Sequence, residues 1–151
     1  MSDFIVSLFG HREIKNFDNL ENGLLPIIKD LIRLKGYVTF LIGRNGEFDE
    51  YAASLIKRAQ KELGKINNEM NLVIPYVLAD INYYENYYDN IIIPESLHGV
   101  YPKSAITLKN RWMIDMSDLV IVCVEREKGG AYAAMKYAER QKKKVINIYG
   151  L

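Results

Sequence analysis

Apolar positions along the chain follow a short-strand period and a helical period in turn, and the alternation sets out a run of β-α units. Residues 4–9 form an apolar strand closed by Gly10, His11 and Arg12. Leu20, Leu24, Ile27, Ile28, Leu31 and Leu34 then recur at helical spacing, with Pro26 marking a first turn or a kink and Gly36 ending the pattern. A β-rich run at 37–42 ends in Gly43, Arg44, Asn45 and Gly46. Phe48, Ala52, Leu55, Ile56 and Ala59 predict a helix from Glu47 that stops at Gly64. Residues 71–78 predict a third strand, bent or pushed to an edge by Pro75. A short helix is expected at 83–88, then a short strand or buried loop at 91–93 and a helix at 103–116. Residues 118–124 read as a strand buried on both faces, followed by a helix at 131–141 and a last strand at 144–149.

Strands separated by helices of this length need crossover connections. The expected fold is therefore α/β: a Rossmann-like, doubly wound, mainly parallel sheet with helices on both faces, in a single domain over 1–151. Such sheets bind ligands outside the carboxyl ends of their strands, where strand order reverses. Three turns there carry glycine and polar residues: Gly10-His11-Arg12, Gly43-Arg44-Asn45-Gly46, and the stretch from Glu125 to Gly130.

At Gly129 and Gly130 the backbone can approach an anion closely, and the first amides of the next helix, from Ala131 on, would point at it. Arg12 and Arg44 are candidate phosphate partners. His11 beside Glu13 is a candidate acid–base pair or a polar cap. The tyrosines among residues 83–88 suit packing, a subunit contact or stacking on a base.

Apolar residues make up 49% and charged residues 26%, the balance of a globular protein. The net charge of +1 leaves no evident cationic surplus, so nucleic acid is not expected as a partner. Cys123 lies in an apolar run and reads as a core residue. Two histidines and one cysteine without ligand spacing predict no metal site, and no cofactor is called for. No apolar stretch approaches the roughly 20 residues of a membrane span, and Met-Ser-Asp runs into the first strand without a basic leader. A cytoplasmic protein without membrane contact is expected.

With Arg111-Trp112-Met113 and Ser117-Asp118 added, the order Gly10-His11-Arg12, Gly43 to Asp49, Gly129-Gly130-Ala131-Tyr132 resembles the YpsA-like branch of the SLOG superfamily over nearly the whole chain. The resemblance implies a nucleotide-binding fold, homo-oligomeric as a dimer or higher, whose ligand sits against the glycine turn, with Arg111 as a phosphate ligand or Lys109 as its substitute. Relatives include LOG phosphoribohydrolases, which cleave a base from a nucleoside monophosphate, and DprA proteins, which bind single-stranded DNA. The hydrolases carry a glutamate in the helix after the glycine turn. Here Met135 and Lys136 occupy those positions, and Ala134 stands where the similar deoxyribosyltransferases keep theirs.

The leading expectation is therefore binding of a nucleotide or nucleotide-derived signal, for sensing or sequestration. An N-glycosidic hydrolase or transferase using Glu47 or Asp49, and a protein-interaction scaffold, are the alternatives.

Overall fold

The computed structural model describes residues 3–151. Twelve elements follow one another: β1 (Phe4–Gly10), α1 (Phe17–Leu34), β2 (Val38–Ile42), α2 (Glu47–Leu63), β3 (Asn68–Val73), α3 (Ile81–Tyr87), β4 (Asn90–Ile92), a 3₁₀ turn (Glu95–Leu97), α4 (Pro102–Met116), β5 (Leu119–Cys123), α5 (Gly130–Arg140) and β6 (Lys144–Asn147). The six strands form one sheet in the order β4-β3-β2-β1-β5-β6, and every neighbouring pair is parallel. The expected doubly wound α/β fold is the one observed.

Alternation within the central strands divides the core. Val6, Leu8, Phe40, Ile42 and Ile121 pack on one face with the apolar stripes of α1 and α2. Phe9, Leu41, Val120 and Val122 pack on the other with Met113 of α4 and the small residues Ala131, Ala134 and Ala138 of α5. Those three alanines are all buried, which lets α5 lie close to the sheet and fixes its first turn against the end of β1.

Three local expectations shift. The third strand starts at Asn68, three residues earlier than its apolar signal, and stops at Val73 before Pro75, which has no N–H for the ladder. Helix α1 opens at an Asn16 cap, whose side chain accepts the amide of Asn19, and carries Pro26 inside it. It ends on Lys35 in extended conformation, so the following Gly36 is not a left-handed cap.

The strand order reverses about β1: the chain fills one side of it with β2, β3 and β4, then crosses to β5 and β6 on the other. The crevice therefore lies outside the carboxyl ends of β1 and β5.

Candidate functional site

A cleft of about 310 Å³ opens at that edge. The ends of β1 and β2, the first turn of α2, the inner side of α4 and the start of α5 enclose it, through Gly10, His11, Arg12, Gly43, Asn45, Asp49, Ile106, Lys109, Asn110, Arg126, Gly129, Gly130 and Ala131 among others. Its ionic lining is three cations, Arg12, Lys109 and Arg126, against one carboxylate, Asp49. That balance favours an anion.

Two helices start at this edge, and they differ in how their first amides are occupied. Helix α2 carries Glu47, Asp49 and Glu50 in its first turn, the N–H of Glu47 donates to the Arg12 carbonyl, and the Asp49 carboxylate accepts the N–H of Asn45 at 2.8 Å. Its end is already neutralised by its own acids. Helix α5 has no acidic residue in its first turn, and its N-cap is Gly129, which has no side chain to cap with. The first helical bond comes from Ala133 to the Gly129 carbonyl, and the earlier amides find no acceptor among the described residues.

Gly129 holds φ at +93° and ψ at 178°, a conformation nearly confined to glycine, whereas Gly130 is already helical and a methyl there would meet nothing within 4 Å. Of the pair, only Gly129 needs the conformational freedom of glycine, and it makes the turn. Gly129→Ala is expected to lose about 1–3 kcal/mol of stability. Gly130→Ala is expected to change it by less than about 1 kcal/mol, in the stabilising direction. Urea unfolding midpoints check this, and a larger loss for Gly130→Ala would contradict it.

Lys109 is the unusual residue of the cleft. It sits on the buried stripe of α4 between Ala105 and Met113, is only 2% exposed, and forms no ion pair among the described residues. Burial pulls its pKa down to about 8, partly offset by the attraction of Asp49. Burial in turn raises the pKa of Asp49. Gly43 lets these side chains converge: a Cβ on it would stand 2.6 Å from Lys109 Nζ and 3.2 Å from Asp49 Oδ2.

Other expected site residues turn out to build the cleft's walls. Gly10 lies against the ring of Phe48, so its missing side chain admits α2 rather than a ligand. Gly46 gives the same close approach to Arg12. The Glu47 carboxylate accepts the Ile14 N–H at 2.8 Å and ties the loop after β1 to α2, outside the cleft lining. Arg44 is exposed and lies over the Tyr84 ring at 5.4 Å. Arg111 is exposed on the far side of α4, 5.0 Å from the Tyr137 ring, so it is Lys109 that enters the cleft. Asn110 and Arg126 also line it, though nothing in the sequence singled them out.

His11 is a brace. Its Nε2 accepts the N–H groups of Glu125 and Arg126 at 3.0 and 3.2 Å, which requires that nitrogen to be unprotonated. Burial, and then the nearby Arg126 guanidinium, hold its pKa below the usual 6.5. The unfolded chain therefore takes up the proton first as pH falls below 6.5. Stability present above that value is expected to decline until the folded ring protonates too, with the loop before Gly129 loosening. Hydrogen exchange at Glu125 and Arg126 checks it; protection that rises on acidification would contradict it.

No family model matches the sequence, and no curated protein matches it. Solved structures do resemble it. DNA processing protein A from Streptococcus pneumoniae superposes with a TM-score of 0.67 at 16% identity, over 94% of this chain and 49% of that one. The fold is similar to that of about half of DNA processing protein A. The Helicobacter pylori DprA, described with its single-stranded DNA binding mode, gives 0.62 at 15% identity over 94% of this chain and 63% of its own. The molybdenum cofactor carrier protein of Chlamydomonas reinhardtii gives 0.60 at 15% identity, over 95% and 75%. The chain thus spans about half to two thirds of the length of these DprA chains, and what it shares with them is the fold of the part covered.

The DprA likeness corrects the expectation that nucleic acid is an unlikely partner. A protein of this fold binds single-stranded DNA. Net charge is a poor guide here because it sums the whole chain and does not report how charge is distributed over the surface. Among the described residues, no helix is long and apolar enough to cross a membrane.

Proposed function

We propose that the cleft binds the phosphate of a nucleotide or nucleotide-derived ligand, held between the free amides of α5 and the ammonium of Lys109. The observation that carries this reading is the pairing of an uncapped, acid-free helix start with a buried lysine that has no ionic partner among the described residues. Each is unfavourable alone, and an anion between them relieves both. Arg12 and Arg126 at the rim add longer-range attraction. Holding the ligand is favoured over cleaving it: Met135 and Lys136 stand where related hydrolases keep acid, and Asp49 is the cleft's one carboxylate. The motif order quoted above supports placement in the YpsA-like branch.

A second reading has the same phosphate site hold one phosphate of a DNA strand. It is supported by the DprA likeness and by the exposed rings of Tyr76, Tyr83 and Tyr101, which follow the ends of β3 and β4 and could stack on bases.

Calorimetry with adenosine, adenosine 5′-monophosphate and a short single-stranded oligonucleotide, with base release followed in parallel, tests these readings. The proposal expects the monophosphate to bind, the nucleoside to bind far more weakly, and no base to be released. Binding of the oligonucleotide alone favours the strand reading. Base release lost on Asp49→Asn would replace binding with catalysis.

A further inference from the structure

Positive charge is unevenly placed along the chain. Between Lys128 and Lys144 stand six lysines and arginines against one glutamate, whereas the whole chain holds 20 cationic against 19 acidic residues, so the rest of it is net acidic. The fold gathers that charge on one surface. Buried Ala131, Ala134 and Ala138 turn one side of α5 to the sheet, which leaves Lys136 and Arg140, one turn apart, exposed on the outer side. Arg111 of α4 reaches the same place: its guanidinium lies 5.0 Å from the Tyr137 ring, and that of Arg140 lies 5.8 Å from it. Lys143 donates to the Asp115 carbonyl and so ties the turn after α5, with Lys142 and Lys144 exposed on either side, against the end of α4.

Little neutralises these side chains. Glu139 pairs with Lys136 at 3.3 Å, and the Asp115 carboxylate accepts the Tyr137 hydroxyl. Arg111, Arg140, Lys142, Lys143 and Lys144 form no ion pair among the described residues. A helix C-terminus attracts cations to its last turn, which accounts for Arg140 and part of the lysine run. It does not account for Arg111, inside α4, or for Lys136, in the middle of α5. Like charges gathered in this way repel one another, and a polyanion laid across them removes the repulsion. Two features decide the kind of polyanion contact. The rings of Tyr132 and Tyr137 already carry cations, so the surface offers charge to a phosphate backbone rather than a platform to bases. Helix α5 and the turn after it expose no large apolar side chain to enter a bilayer.

We infer that the outer face of α5, with Arg111 of α4, is a docking surface for the phosphate backbone of a nucleic-acid strand, separate from the cleft and indifferent to base sequence. It stands on the distribution of charge and not on the ligand of the cleft, so either reading can fail alone.

Fluorescence anisotropy with an oligo-dT, an oligo-U of the same length and a duplex of that length tests it, and distinguishes DNA, RNA and duplex as sources of the backbone. The wild type is expected to bind at least one of them, with affinity falling roughly 100-fold or more between about 50 and 200 mM salt, as the release of about five counterions requires. Arg140→Gln/Lys142→Gln/Lys144→Gln should bind at least about tenfold more weakly at the lower salt, with a salt slope shallower by about 2. Arg111→Gln/Lys136→Gln should act in the same direction by a smaller factor. Arg33→Gln/Lys35→Gln/Lys61→Gln removes as many exposed cations from the α1 and α2 side of the sheet and should stay within about twofold of the wild type.

No binding by the wild type at low salt overturns the inference. So does equal weakening in the α1 and α2 variant, or undiminished binding in the α5 variants. Displacement of the strand by adenosine 5′-monophosphate puts it in the cleft and overturns the separate surface. Capture by phosphatidylserine vesicles without binding of any nucleic acid makes the partner a membrane and overturns it too. Should the triple α5 variant lose its native circular dichroism spectrum, Arg111→Gln/Lys136→Gln, which leaves the turn after α5 intact, decides.

Discussion

Lys109→Met is expected to weaken binding of a nucleoside monophosphate by roughly 30- to 900-fold, about 2–4 kcal/mol, while leaving the protein folded and more stable. The affinity loss follows from removing the one buried cation of the cleft, which is shielded from water where a rim arginine is not. The stability gain follows from the lysine's pKa. With that value lowered from 10.5 to about 8, the folded chain at neutral pH carries an ammonium it disfavours by about 3 kcal/mol. Without ligand, the Lys109 contribution to stability, read as the difference between the wild type and Lys109→Met, should therefore rise as pH increases from about 8 through 10.5, where the folded lysine is neutral and the unfolded one still protonated. Ligand affinity should move the opposite way and fall above about pH 8. The phosphate is already dianionic there, its second pKa being about 6, so the fall belongs to the protein. Methionine should abolish both pH trends. Unchanged affinity in Lys109→Met, measured by calorimetry at pH 7, would contradict the assignment.

Gly10→Ala is expected to destabilise the fold by about 2–4 kcal/mol, read as a lower urea midpoint. The added methyl would lie 2.6 Å from Phe48 Cβ and closer still to its ring, and that ring is fully buried among core residues that cannot yield. A glycine in a strand-to-helix turn invites a ligand-binding role, but this one is filled by protein. A variant with wild-type stability and impaired binding would reverse that judgement.

These two residues show what the sequence could and could not disclose. Periodicity located β1, β2 and β5 because each is a short apolar run bounded by glycine or polar residues. It misplaced β3 because Asn68, a buried residue, is polar and bonds inward to Gln60 and the Gly64 carbonyl, which a pattern of apolar positions does not register. The glycine turns were legible as a set, but glycine serves a ligand and a close-packed ring equally well. Only the neighbours of Gly10 and Gly130 tell them apart.

Arg111 and Lys109 lie two positions apart, about 200° around a helix, so only one could face the cleft. The deciding signal was present in the sequence: Lys109 is the charged member of the i, i+4 stripe Ala105, Lys109, Met113. The place of Asn110 in the cleft wall had no such signal.

The claim at the centre of this account is that a phosphate sits on the first amides of α5 opposite Lys109. A ¹H–¹⁵N NMR titration with adenosine 5′-monophosphate reads those amides one by one. The account predicts saturable shifts concentrated at Gly130, Ala131 and Tyr132 and extending to the loop of Glu125 and Arg126, with the same amides moving in Lys109→Met only at correspondingly higher ligand concentration. Shifts confined to the tyrosine-bearing stretch from Tyr76 to Tyr101, or none at saturating ligand, would contradict it.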